Sequence, residues 1–221
     1  MRMILFSWIA LLPLAGQTLQ VTQGAADYQV YQRGPNNAAT LKVQGSAVAA
    51  AGKDVEARVI LAGRPLPGFD WKTAGKVTGT TFLAEVPNVP AGGPYRLELR
   101  AQGSASLASV SNLLVGDLWL LAGQSNMEGV GNLDNLPLPS AQVNSLDMTD
   151  VWVAAEDPLH RLPDSKDRVH WRRNPQGQPE KLEGPALDKW IAARRKGAGV
   201  GLPFALEMVR RTGVPVGLIP C

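Results

Sequence analysis

Cysteine is almost absent from this chain: Cys221, the last residue, is the only one, and there are only two histidines, His160 and His170. An internal disulfide framework and a Cys/His metal cluster are both excluded by that count. No metal and no organic cofactor is expected. Long apolar runs are lacking as well. Ile4 to Leu14 is apolar but interrupted by Ser7 and Pro13, and it is too short for a membrane span, which needs about 20 residues. Charge of one sign is also missing, with 22 Lys and Arg against 19 Asp and Glu and a net charge of +3. No basic stripe interleaved with aromatics appears, so nucleic acid is not an expected partner. The densest basic cluster, Arg161 to Arg173, alternates with Asp164 and Asp167 and reads as a solvated loop.

The N-terminus carries Arg2, then the short apolar run, then the small residues Ala15 and Gly16. That order is the pattern of an export signal over residues 1–16, which implies a secreted or periplasmic protein. An unpaired cysteine in such a protein calls for either a partner outside the chain or burial at the end of a strand.

Residues 17–113 have an all-β texture. Apolar residues alternate in Tyr28–Gln32, Ala39–Val43, Val55–Leu61, Thr81–Val86 and Tyr95–Arg100, the period of half-buried strands. Gly34-Pro35-Asn36-Asn37, Gly63-Arg64-Pro65 and Pro90-Ala91-Gly92-Gly93-Pro94 punctuate them. The expectation is a small antiparallel β-sandwich. Phe69 and Trp71 fall on a turn beside Pro67-Gly68, where an exposed aromatic pair would suit a sugar ring.

The texture changes near Val115. Val115, Leu118, Trp119, Leu120 and Leu121 form a short apolar run, as expected of a strand buried in a parallel sheet. It stops at Ala122-Gly123-Gln124-Ser125-Asn126-Met127-Glu128-Gly129. Gly123 permits a sharp turn, and Ser125 stands at the carboxyl end of the strand, where open α/β sheets place their ligands. A hydroxyl there, beside free backbone amides, suits acyl transfer; the same residues also spell an ordinary turn. Residues 133–200 show little periodicity and read as a long connection. A helix is expected from Pro203, with Leu202, Ala205, Leu206 and Val209 on one face and Gly213 at its C-cap. Val214–Ile219 reads as a second strand, completing one βαβ unit.

The segment Asp117–Gly131, centred on Gly-Gln-Ser-Asn-Met, resembles the nucleophile block of the sialate O-acetylesterase family, a branch of the SGNH hydrolases. Two further stretches carry the likeness, Trp152 with Ala155–His160, and Gly201–Ala205 through Gly213–Pro220. The resemblance implies an SGNH-like α/β hydrolase beginning at residue 114, with Ser125 as nucleophile and its own amide as one oxyanion donor. It implies an exported serine esterase acting on an O-acetylated carbohydrate. In the family, further oxyanion donors follow the second and third strands, and the base and its carboxylate form an Asp-x-x-His near the C-terminus. The second strand expected here ends at Pro220-Cys221, so the expectation is the N-terminal part of a longer enzyme.

Both histidines nevertheless follow an aspartate by three positions, in Asp157-Pro158-Leu159-His160 and Asp167-Arg168-Val169-His170. Each reads either as a base or as a loop-packing residue; His160 is preferred as a wall of the substrate pocket. Gln124 and Asn126 either hydrogen-bond the substrate or fix the turn, and Glu128 favours a helix start. Trp119, Trp152, Trp171 and Trp190 are expected in core packing. A non-catalytic carbohydrate-binding or scaffold protein that works through its β-sandwich is the alternative, and the oligomeric state is open.

Overall fold

The structure, a computed structural model, describes residues 17–221; the expected export signal lies outside the described residues. Alternating apolar side chains in the first half produce β1 (Thr18–Gln23), β2 (Val30–Gln32), β3 (Ala38–Val48), β4 (Asp54–Leu61), β5 (Arg64–Pro65), β6 (Lys72–Thr78), β7 (Thr81–Pro90), β8 (Gly92–Ala101) and β9 (Ala108–Leu121). They pair in the order β1-β3-β7-β6-β4-β8-β9, every neighbour antiparallel; β5 extends β4, and β2 runs parallel to β9. Leu41 and Val43 on β3, Val55 and Val59 on β4, and Leu97 and Leu99 on β8 all turn to one side and are fully buried. With Leu19, Val77, Phe82 and Leu113 they form one apolar cluster. Burying each such side chain contributes about 1.5–3 kcal/mol.

The opposite side of β4 and β8 carries charge. Glu98 is only 4% exposed, and its two oxygens accept from Arg58 at 2.6 Å and Arg96 at 2.8 Å. A carboxylate taken out of water needs such pairing. Trp71 lies against this ladder, with the Arg58 and Arg100 guanidinium carbons 4.5 and 4.0 Å from its ring centre. Phe69 packs against the apolar cluster. The expected exposed pair is therefore half-buried, because arginine stacking and core contacts draw both rings down.

Strand β9 has 14 residues and does not stop with the antiparallel region. It passes unbroken through residue 113, the expected boundary. The second half of the chain adds β10 (Gly131–Asn132), β11 (Val143–Leu146), β12 (Trp152–Ala154), β13 (Arg172–Arg173), β14 (Pro179–Glu180), β15 (Lys196–Ala198) and β16 (Val216–Pro220). Its helices are α1 (Ser125–Glu128), α2 (Gly184–Ala193) and α3 (Gly201–Thr212). Asp117–Leu121 of β9 pair parallel with β16, β16 pairs parallel with β11, and β12 closes the edge antiparallel. Hydrogen bonding thus runs continuously through twelve strands of one mixed sheet. Helix α3 lays Leu202 and Ala205 on Leu121, Val143, Val216 and Leu218, forming a second core.

Three parallel segments replace the two expected. β11 escapes the apolar-run criterion because its middle residues are Asn144 and Ser145, both buried. The long connection expected over 133–200 holds β10–β15 and α2, most of them too short for any period to show. α3 starts at Gly201, two residues before Pro203, and ends as expected at Gly213 in the left-handed conformation, φ 68°.

Asn144 is a polar tie between the parallel strands and the antiparallel region. Its amide nitrogen donates to the carbonyls of Tyr28 at 2.6 Å and Asn112 at 3.1 Å. Asn144→Ala leaves both carbonyls without that donor and is expected to cost about 1–3 kcal/mol. Urea unfolding of the variant against the parent measures it.

Candidate active site

Parallel β9 and β16 end at the same edge of the sheet, and Ser125 lies just past the end of β9. Ala122, Gly123 and Gln124 carry the chain from the strand into α1, whose first residue is Ser125. A Cβ on Gly123 would stand 2.9 Å from the Met127 Cβ, too close for any side chain, so the turn needs glycine. Gln124 supplies its carbonyl to the Met127 and Glu128 amides at 2.8 and 2.9 Å, and the Ser125 carbonyl accepts from Gly129. The Ser125 and Asn126 amides donate to no group among the described residues. Ser125, Gln124 and Asn126 are all exposed, and their side chains reach no protein partner among the described residues. A solvent-facing hydroxyl beside undonated amides is the arrangement in which an acyl oxygen can be held next to a nucleophile.

Arg33 holds β9 where it enters the parallel layer. Its guanidinium grips both oxygens of Asp117, at 2.8 and 2.9 Å, and holds that carboxyl below its usual range, hydrogen bonding being the larger cause and charge attraction the smaller. At the other end of the strand, the Leu121 carbonyl accepts the Cys221 amide at 3.3 Å and faces the Cys221 thiol at 3.4 Å. Cys221 is exposed at this strand end, not buried.

The two Asp-x-x-His sequences part company. The Asp167 carboxylate accepts the Val169 amide at 3.0 Å and caps a short turn over Arg168–His170, so it is spent on local backbone. Asp157 and His160 are 6% and 3% exposed. Burial lowers the His160 pKa, against the opposing pull of the Leu121 carbonyl and of the Glu128 and Asp157 charges. Burial likewise raises the Asp157 pKa, and the facing amides of Gly199 and Leu159 only partly offset it. The nearby polar cavity of about 360 Å³ is bounded by Ser145, Asp147, Asp157, Arg161 and Asp164, and His160, buried and adjacent in sequence, is not among its lining residues.

None of the four tryptophans Trp119, Trp152, Trp171 and Trp190 is fully buried. Trp119 meets Phe204 edge-on at 5.0 Å, Trp171 donates to the Ser165 carbonyl at 2.8 Å, and Trp190 lies under Arg194. The partial exposure of all four departs from the core packing expected. Among the described residues, no group of three or more His, Cys, Asp or Glu is placed to hold a metal ion, and no helix is long and apolar enough to cross a membrane.

Residues 115–221, from the middle of β9 onward, match the family model described as "Carbohydrate esterase, sialic acid-specific acetylesterase". This segment is similar to the sialic acid-specific acetylesterase family. The match begins two residues before Asp117, where β9 enters the parallel layer, and takes in the Ser125 turn. Among solved structures, the chain is similar to a carbohydrate acetylesterase from Xanthomonas citri, with 20% identity and a TM-score of 0.48. The alignment covers 91% of this chain and 40% of that one, so the chain spans about two fifths of that protein's length. No curated protein matches the chain.

Sequence reasoning reached Ser125 and its neighbours but not Arg194 or the Gly197–Val200 segment, which pack beneath the turn. Only spatial proximity connects them to Ser125, and no local pattern announces it.

The Arg33–Asp117 pair gives a pH test. Because Asp117 is lowered in the folded state, its contribution is present above the unfolded carboxyl pKa of about 4 and is lost as pH falls through the folded value. Arg33→Gln is expected to lower Tm by about 2–4 °C at pH 7. The difference from the parent should vanish at about pH 2, read by thermal denaturation across pH.

Proposed function

We propose that the protein is a serine esterase that removes O-acetyl groups from a carbohydrate, a sialic acid or an acetylated polysaccharide, and that Ser125 is its nucleophile. The observation that carries this reading is the exposed Ser125 hydroxyl at the carboxyl edge of β9, beside the undonated amides of Ser125 and Asn126, within a segment similar to the acetylesterase family. The serine oxygen attacks the acetyl carbonyl as its proton passes to a base, and the carbonyl oxygen, now negative, is held by the Ser125 amide. Collapse expels the sugar hydroxyl, reprotonated by the base, and leaves an acetyl-serine. Water hydrolyses that ester to acetate and restores the serine. Gln124 and Asn126, which flank the nucleophile, orient the sugar or its acetyl group.

Neither histidine serves as the base in this reading. Asp167 is spent as a cap, and His160 is buried, only 3% exposed. The base and its carboxylate come instead from an Asp-x-x-His outside residues 1–221, so the chain is the N-terminal part of the working enzyme. The same reading takes residues 1–16 as an export signal, 17–113 as a β-sandwich and 114–221 as the start of an SGNH-type layer, in a secreted or periplasmic protein.

One observation favours a second reading, a carbohydrate-binding protein working through its β region. A cavity of about 210 Å³ lies over Phe69, Asp70, Lys72, Thr73 and Glu85, an aromatic floor with polar groups at its rim, as sugar sites require.

Ser125→Ala in the complete enzyme is expected to lower acetate release from an acetylated sugar by about 10³-fold or more, with folding unchanged by circular dichroism. Retained turnover would refute the nucleophile assignment. Glycan binding by the parent without any acetate release would favour the second reading.

A further inference from the structure

Glycine stands at three alternate positions leading into α3, Gly197, Gly199 and Gly201. Neither Gly199 nor Gly201 has a positive φ, so no left-handed backbone calls for glycine at either. Close approach does. A Cβ on Gly199 would stand 2.8 Å from the Met127 carbonyl oxygen, and one on Gly201 would stand 2.6 Å from the Leu121 Cδ1. Leu121 precedes Ser125 and Met127 follows it, so the space these two glycines leave is filled by the two flanks of the Ser125 turn.

The same segment is bonded to the chain beyond the serine. Val200, the N-cap residue of α3, donates its amide to the Asn126 carbonyl at 3.3 Å. The Gly197 carbonyl oxygen comes so near Gly129 that a Cβ there would stand 2.1 Å from it. Gly131 and Asn132 pair with Ala198 and Lys196, joining β10 to β15. The Leu133 amide then donates to the Arg195 carbonyl at 3.0 Å. The segment is itself backed by side chains: Pro158 and the Arg194 guanidinium close on Gly197, and Leu159 closes on Gly201.

These contacts fix whole peptide planes, because each amide is rigid. The plane joining Asn126 to Met127 is held at its oxygen by Val200 and at its nitrogen by the Gln124 carbonyl, at 2.8 Å. The plane joining Ser125 to Asn126 is held at its oxygen by the Gly129 amide, at 2.9 Å, and Gly129 in turn lies hard against Gly197. The free end of that second plane is the undonated Asn126 amide. We propose that Gly199 and Val200 are positioning residues that seat the Ser125 turn, Gly199 by the space it leaves for Met127 and Val200 by its amide. The seat sets where the Ser125 hydroxyl and the Asn126 amide stand relative to one another. This role deepens the esterase reading and rests on Ser125 being its nucleophile, although the seat itself can be tested without turnover.

Val200→Pro isolates the bond. The φ of Val200 is −80°, close to the value that proline imposes, so the substitution removes the amide hydrogen and little else. Gly199→Ala sets a methyl group against the Met127 carbonyl. Hydrogen exchange of the 221-residue chain, followed by mass spectrometry, reads both. The Met127, Glu128 and Gly129 amides are hydrogen-bonded within the turn; their exchange is expected to speed by about tenfold or more in each variant, with the β4 and β8 amides unchanged. Val200→Ala, which keeps the amide and trims an exposed side chain, is expected to match the parent. Unchanged exchange at residues 127–129 in both Val200→Pro and Gly199→Ala overturns the seat. Equal acceleration in β4 and β8 also overturns it, as does unprotected exchange at 127–129 in the parent.

A second measurement separates the seat from the esterase reading. In the complete enzyme, kcat for acetate release from an acetylated sugar is expected to fall about tenfold or more in Val200→Pro and Gly199→Ala, with KM within about twofold of the parent. Val200→Ala is expected to keep the parent's kcat. Selective exchange at 127–129 in variants of a parent that releases no acetate would support the seat and refute the nucleophile. A parent-like kcat in both variants, or a loss carried by KM alone, would refute the positioning role.

Discussion

Strand β9 has to satisfy two sheets at once, and the rest of the molecule is arranged around that demand. Its first residues pair antiparallel with β8 and place Val110 and Leu113 in the first core. Its last five pair parallel with β16 and deliver Leu121 to the second. A strand hydrogen-bonded to β8 over its first part, to β2 across 114–116 and to β16 over its last five residues cannot shift register, because a slip of one residue would turn each core's side chains to the wrong face. Ser125 stands four residues beyond this rigid rod, so the position of the candidate nucleophile is inherited from packing far from it. The Arg33 grip on Asp117 and the Asn144 amide reinforce the rod where it passes from one layer to the other.

The two faces of the parallel layer are unequal. α3 covers the face carrying Val216 and Leu218, whereas Leu120, on the other, is 64% exposed. Near the beginning of the strands that second face is covered by the antiparallel region: Gly217 leaves room for Leu118 and Val30, which a side chain there would strike. Toward the Ser125 edge the cover ends. Parallel sheets are ordinarily covered on both faces, and here only the α3 face is covered along the whole length of the strands.

Polar groups follow the same division. In the antiparallel region, the buried carboxylate of Glu98 is met on both oxygens, and the cost of its burial is offset on the spot. Beneath the Ser125 turn, Asp157 and His160 are more incompletely paired, and burial pushes both toward their neutral forms. Buried polar groups left unpaired are few in native structures.

The sequence alone determined what depends on neighbours along the chain. Alternation marked β3, β4, β7 and β8 because a half-buried strand must present every second side chain to the core. Gly213 marked the end of α3 because a left-handed residue is needed there, and Gly-Gln-Ser-Asn-Met located the turn. Only the tertiary structure decided the rest. β11 was illegible because Asn144 and Ser145 are buried for their hydrogen bonds and close packing, not for apolarity, and the carbonyls that Asn144 meets lie on distant segments. β6 was illegible because Gly75 and two lysines dilute its alternation, and Gly75 is there to let the Leu83 carbonyl approach. The pairing of β9 with β16 and the meeting of Asp157, His160 and Arg194 under Ser125 join residues tens of positions apart. Such contacts arise from the way the layers close on each other, and no local period encodes them.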